Sequence, residues 1–474
     1  MEFKKIDFFK WEKVKKRKYQ IMLKKIFKDY EEANEALKNL NKDLELLDIK
    51  DKEEVKKFKE RSKKTLFNVD AFMYWAYYLN LDQKKDILEN NNILYKEKFL
   101  YEKKLGIIKE NKSKKTKEEI EKHEYEDILK KYNNKINYLI QKASFEKDKD
   151  KKLKLIIDLE YVFYEIQKEL NAKNINLEYN PYYFNPLYME KIISEIKKYN
   201  NKLYKKYKKE KEEIEKNFVP KRISVKKIFN SLVDSLDILG KDYTKEIENA
   251  LSENRIDYFN RKNKKQENHM NYNRISIMGN LRSKDIFILS HEISHMLEYE
   301  FKDENKIDLE TEVYAVVNEY LSYIFFQNNK IDEEDFFERE EILNEFKIKN
   351  ILRIQDRING FQIIQKMFEL FENKEEKIEE KLKEIYKEEL EDFLDNISLY
   401  NPYLNCIYII AEFVSKYIAE KIYKGEITAE RYLLCLNKTK ENSVKNKYFN
   451  LKKYLNIDIY DFSFLKKCIE QYFI

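Results

Sequence analysis

Five glycines and four prolines in 474 residues leave this chain few places to turn sharply. Sandwiches and barrels of short strands need a turn about every 8–12 residues, usually built on Gly or Pro. A chain this poor in both folds mainly as long helices. The hydrophobic spacing agrees. Residues 12–46, 52–81 and 153–170 each place apolar side chains three and four apart, the stripe of an amphipathic helix. A basic, polar break lies at 111–117, and Asn180-Pro181 and Asn185-Pro186 mark a loop. Leu187-Tyr188-Met189 then enters a charged helix ending near Asn217.

Val219-Pro220 is the strongest boundary, because proline lacks an amide donor and disfavours helix in its predecessor. It divides the chain into an N-terminal helical subdomain, 1–217, and a second subdomain, 218–474. Helices resume at 223–239 and 242–253. Arg274-Ile275-Ser276-Ile277-Met278 is the one clear β pattern, alternating and stopping at Gly279-Asn280. There is no internal repeat.

Charge argues against nucleic acid. The chain has 94 basic and 88 acidic residues, interleaved, for a net charge of +6. Runs such as Lys205-Lys206-Tyr207-Lys208-Lys209-Glu210-Lys211 read as solvated helix faces. Cys406, Cys435 and Cys468 are too few and too scattered for a disulfide framework, which points to reduced thiols and a cytoplasmic setting. The segment Met1-Glu2-Phe3-Lys4-Lys5-Ile6-Asp7-Phe8-Phe9-Lys10 has no apolar core of signal-peptide length. Nor does any stretch approach the roughly 18 apolar residues of a membrane span.

Chemistry is concentrated in His291-Glu292-Ile293-Ser294-His295, which holds two of the four histidines of the chain. Positions four apart share a helix face, so both imidazoles can reach one zinc ion. Glu292 sits beside them, suited to take a proton from water. Ile286, Leu289, Ile293 and Met296 supply the apolar stripe. Ser283 is a candidate N-cap, and Asp285 suits the first turn. A catalytic zinc ordinarily takes a third protein ligand and a water. An acid-bearing helix at about 308–326 offers Glu310, Glu312 and Glu319, and Glu298 lies nearer. Spacing alone does not choose among them, and for any one such carboxylate a solvated surface acid is the ordinary reading.

The stretch 275–326 resembles the zinc oligopeptidase family that includes oligoendopeptidase F and thimet oligopeptidase. There a β segment, a Gly-containing turn and an HExxH helix are followed by a helix with the ligand glutamate and a second glutamate seven residues on. Gly279-Asn280-Leu281 and Glu312-Val313-Tyr314-Ala315-Val316-Val317-Asn318-Glu319 fit that frame. The resemblance implies His291, His295 and Glu312 as zinc ligands, and Glu319 behind them, orienting a ligand histidine. It continues in Glu253-Asn254-Arg255-Ile256-Asp257-Tyr258, Arg261-Lys262-Asn263-Lys264, Gly360-Phe361-Gln362, and Pro402-Tyr403 through Tyr408-Ile409-Ile410-Ala411. It is clear from about 240 to 425 and thin over the first 215 residues.

The resemblance implies a mainly α, elongated metallopeptidase with a deep central channel and a small β element beside the HExxH helix. In that frame 1–217 forms one channel wall. Glu292 is the general base, Tyr408 a hydrogen-bond donor to the transition state, and Ile275, Ser276, Ile277, Met278 and Gly279 bind short peptides through a free strand edge. The sequence also departs from the family. The oxyanion histidine ahead of the last segment is absent from Ile397-Ser398-Leu399, and two tyrosines are replaced by Leu404 and Asn405. The Gly-rich substrate loop gives way to Lys265-Gln266-Glu267-Asn268-His269, and the linker from His295 to Glu312 is short. Loss of one oxyanion donor lowers kcat by about a hundred- to a thousandfold. Tyr400, Tyr403 and His269 are the substitutes at hand, although packing suits the two tyrosines and an exposed loop suits His269; His123 reads as a surface residue. Two functions follow: a zinc endopeptidase for short peptides, or a catalytically impaired member that keeps zinc and binds peptide or serves structure. The sequence does not fix an oligomeric state.

Overall fold

The computed structural model describes residues 23–47, 51–110, 117–173, 186–217, 222–259, 269–271, 273–282, 284–302, 309–328, 333–396, 400, 402–437 and 449–473. In chain order the helices begin with α1 (Tyr30–Leu46), α2 (Lys52–Leu79), α3 (Lys84–Glu110), α4 (Lys117–Phe145), α5 (Lys149–Ala172) and α6 (Pro186–Asn217). Two short helices, α7 (Val225–Leu236) and α8 (Lys241–Ser252), lead to strands β1 (Ile256–Phe259), β2 (His269–Asn271) and β3 (Arg274–Gly279). Then come α9 (Asp285–Lys302), α10 (Leu309–Asn328), α11 (Glu333–Glu372), α12 (Ile378–Asp395) and α13 (Pro402–Tyr423). The chain closes with α14 (Ala429–Asn437), α15 (Phe449–Leu455) and α16 (Phe462–Phe473). The fold is mainly α with one small sheet, as the scarcity of Gly and Pro requires.

Two compact units share these elements. The first comprises Met1–Lys114 and Arg222–Asn305, the second Lys115–Lys221 and Lys306–Ile474.

In the first unit, caps set the helix starts. Of the helix expected over 12–46, residues 12–22 lie outside the described residues; within 23–46 the α-helix starts at Tyr30, because Asp29 turns extended and its carboxylate accepts the Glu32 amide at 3.0 Å. Asp51 does the same for α2, accepting from Glu53 and Glu54 at 2.9 and 3.0 Å. Leu37, Phe72, Trp75, Leu79 and Leu94 make the core beneath. The sheet runs in the order β1-β3-β2, with β1 parallel to β3 and β2 antiparallel. β1 and β2 escape a pattern search because four and three residues are too short to show alternation.

In the second unit α10 packs against α13, and α11 packs against α13, α6 and α5. Leu159, Ile363, Met367 and Phe393 belong to the largest core cluster described there. All of Leu309 through Ser322 on α10 is buried, so this helix has no solvent face over four turns.

Cys406, Cys435 and Cys468 are buried and unbridged. Among the described residues, no helix is long and apolar enough to cross a membrane. The loop marks at Asn180-Pro181 and Asn185, the Val219-Pro220 boundary, residues 1–10 and 111–116, Arg261–Asn268 and Ile397–Leu399 by number, and the Ser283 cap all lie outside the described residues.

Candidate metal centre

The two histidines are positioned by β3, a turn and α9. Strand β3 ends at Gly279, where a Cβ would stand 2.2 Å from the Tyr258 carbonyl oxygen, so only glycine lets β1 come this close. Beyond it Leu281 takes φ +58, and its amide donates to the Tyr258 hydroxyl at 3.1 Å. The Asp285 carboxylate at the head of α9 accepts from the Asn280 amide at 2.8 Å, the Arg282 amide at 3.3 Å and the Tyr258 hydroxyl. Burial, and then this carboxylate, hold the Tyr258 phenol well above its usual range. Three donors thus converge on one buried acid and fix where α9 begins.

From that start the predicted periodicity holds. Ile286, Leu289, Ile293 and Met296 are buried, while His291, Glu292 and His295 are half-buried on another face. The Nε2 atoms of His291 and His295 are 3.1 Å apart, with rings inclined at 81°. Two nitrogens about 2.0–2.1 Å from a tetrahedral ion stand about 3.3 Å apart, so the pair has the spacing a shared metal needs.

The candidate acids are positioned by α10. None of its three candidate acids is a solvated surface group: Glu310, Glu312 and Glu319 are 2%, 1% and 3% exposed. Their partners separate them. Glu310 accepts the amides of Asn450 and Leu451, both at 3.2 Å, and so ties down the start of α15. Glu319 faces the Arg353 guanidinium at 3.9 Å. Glu312 accepts the Tyr408 hydroxyl at 3.2 Å, and the Arg357 guanidinium lies 4.4 Å from the centre of the Tyr408 ring. Among the described residues, His291, His295 and Glu312 are the group that could hold a metal ion.

Two arginines on α11 were missed in the sequence. Arg353 donates to Glu412, itself 2% exposed. Burial works against its charge, but Glu412 and Glu319 outweigh it and hold the guanidinium above its ordinary pKa. Arg357, one turn on, donates to Asn405 at 3.2 Å, and burial lowers its pKa. Their signal was two cations four apart on a helix whose apolar residues Ile351, Leu352, Ile354 and Ile358 flank them.

Other expectations fare unevenly. Tyr400 is buried and donates to the Leu394 carbonyl at 2.8 Å, the packing role expected. His269 is not in a loop: it belongs to β2, opposite Ser276. The side chains of His269, Tyr403 and His123 lie outside the described residues. The free edge expected along β3 is absent at Arg274, Ile275 and Ser276, because β2 pairs with them there. Glu298 is buried at 2% exposure.

Solved structures share this architecture from end to end. A protein from Chlamydophila abortus assigned as a peptidase superposes with a TM-score of 0.59 at 13% identity, covering 98% of this chain and 99% of that one. One assigned as an oligoendopeptidase F gives 0.55 at 11% identity over 96% and 97% of the two chains. Another so assigned, from Bacillus anthracis str. Ames, gives 0.54 at 13% identity over 94% and 95%. The chain has the oligoendopeptidase F fold. No family model matches the sequence, and no curated protein does. The oligoendopeptidase F fold is therefore carried here by a sequence that has kept its helical plan while changing most side chains.

Proposed function

We propose that this protein is a zinc-dependent endopeptidase acting on short, unstructured peptides. The observation that carries the proposal is the grouping of His291, His295 and Glu312 around one candidate metal position, with Glu292 next to His291 in the chain. Two imidazoles and a carboxylate are a zinc donor set that leaves room for water. When bound, zinc polarises the scissile carbonyl and makes the attacking water more acidic. Glu292 takes the proton of that water and passes it to the leaving amine. Tyr408 donates to Glu312 at 3.2 Å and keeps it oriented; on releasing that bond its hydroxyl proton is free to serve the developing oxyanion. Glu319 acts from behind through its own partners, Arg353 among them.

Ile275, Ser276, Ile277, Met278 and Gly279 support peptide binding as the middle strand of the sheet, with strand addition taking place at a rim. Unbridged cysteines fit a cytoplasmic protein.

The second reading is a zinc-holding descendant without useful turnover. It is favoured by Asn405, which stands where the family has a tyrosine and is engaged by Arg357. Hydrolysis of a pool of short quenched fluorescent peptides by zinc-loaded protein separates the two. Wild-type protein cleaves, and Glu292→Gln retains zinc and loses at least about a hundredfold in rate. No cleavage by wild-type protein with one zinc per chain would sink the peptidase reading and leave the second. Equal cleavage by Glu292→Gln would remove the general base.

A further inference from the structure

The second unit contains a cavity of about 480 Å³ that the proposed chemistry does not use. That volume falls within the roughly 300–1,000 Å³ of small-molecule sites. Its wall is aromatic. Tyr323 and Phe346 stack with centroids 5.0 Å apart, and Tyr320 meets Phe346 edge-on at 5.5 Å. Phe473 and Ile351 also line it.

Its inner end is polar and held in place. Asn350 Nδ2 donates to the Tyr320 hydroxyl at 3.4 Å, and that hydroxyl lies 3.2 Å from the Tyr472 hydroxyl. Both tyrosines donate to buried Glu412, Tyr472 at 3.0 Å, and Arg353 clamps the same carboxylate from its other oxygen. These tyrosines cannot swing to fill the space without breaking a charge-assisted hydrogen bond in the interior.

Charge selects the sign of an occupant. The lining carries Lys347, Lys416 and Lys424 against a single acid, Glu420. Glu420 is engaged by Lys416 at 2.7 Å, and Lys347 and Lys424 are exposed. We propose that this cavity binds a small aromatic carboxylate, its ring against Tyr320, Tyr323 and Phe346 and its carboxylate toward Lys347 and Lys424. Neutral aromatics gain the ring contacts alone, and a cation meets a wall of like charge.

The test uses the full-length protein and titration calorimetry. The probe is 3-phenylpropionate, with 3-phenylpropylamine as its counterpart of the same ring and chain length and opposite charge. The acid binds, and the amine binds at least about tenfold more weakly. The double variant Lys347→Glu/Lys424→Glu, both sites exposed, melts as the parent does and binds the acid at least about tenfold more weakly. Equal binding of acid and amine overturns the proposal, as does an affinity untouched by the double variant or no binding at millimolar acid. Neither metal nor turnover enters the measurement, so it stands or falls apart from the peptidase reading.

Discussion

The helix that carries the histidines and the helix that carries the glutamate are built in opposite ways. α9 has an apolar stripe on one side and half-buried His291, Glu292 and His295 on another. α10 has no such division, since Leu309 through Ser322 are all buried. On α9 the candidate ligands sit at the surface of their helix, and the scaffold work is done by its start, where Asp285 gathers the turn. On α10 every acid is already inside the protein and must be satisfied by groups far along the chain. A half-exposed imidazole can exchange its metal without disturbing a core; a buried carboxylate is part of the core.

The comparison breaks first at the metal. Glu312→Ala loses metal affinity by well over the tenfold to hundredfold that supporting partners contribute. Glu310→Ala leaves metal content near one per chain and instead lowers stability by about 1–3 kcal/mol, since two α15 amides lose a charged acceptor. Metal analysis after dialysis, with denaturant melts, reads both. Equal metal loss in the two variants would undo the distinction drawn between these acids.

Gly279→Ala tests the α9 side. A methyl group 2.2 Å from the Tyr258 carbonyl forces β1 and β3 apart. A cost of about 1–3 kcal/mol follows, with weaker metal retention because the turn into α9 shifts with it. Unchanged stability by urea unfolding would show that the turn is not the anchor of the histidine helix.

The smallest effect concerns a buried acid with no partner. Glu160 on α5 is fully buried, and neither carboxylate oxygen has a hydrogen-bond partner. Burial raises its pKa well above the usual carboxylate value. The folded protein therefore keeps the proton longer than the unfolded chain, so the stability present below about pH 4.3 declines as pH rises toward the raised pKa. Glu160→Leu removes that decline. It stabilises by about 1–2 kcal/mol at pH 7 and by less at pH 4, read as urea midpoints at the two values. A larger gain at pH 4 would invert the sign and disprove the assignment.

These contrasts explain what the sequence could disclose. His291, Glu292 and His295 form a short-range pattern on an amphipathic helix, so motif and periodicity report the same face. The helices at 52–81 and 153–170 were legible for the same reason, whereas the one at 308–326 was read from its acids. Glu310, Glu312 and Glu319 looked like surface acids because their acceptor roles depend on Asn450, Tyr408 and Arg353, which lie up to 140 residues away. A helix buried on all sides has no moment to betray it. The third strand position was hidden for a different reason: β2 is three residues long, and its presence makes β3 central instead of an edge.

Glu310 and Glu412 share a dependence that bears on how the polypeptide acquires its shape during synthesis. The amides of Asn450 and Leu451 and the hydroxyl of Tyr472 serve these two acids on α10 and α13. All three donors leave the ribosome after the acids they serve. Until translation has passed Tyr472, α10 and α13 cannot close against each other without enclosing charge that is only partly answered. The second unit therefore has reason to stay loose through most of translation and to consolidate late. A chaperone that waits for nascent chains would meet it open, with Glu310 and Glu412 still in water.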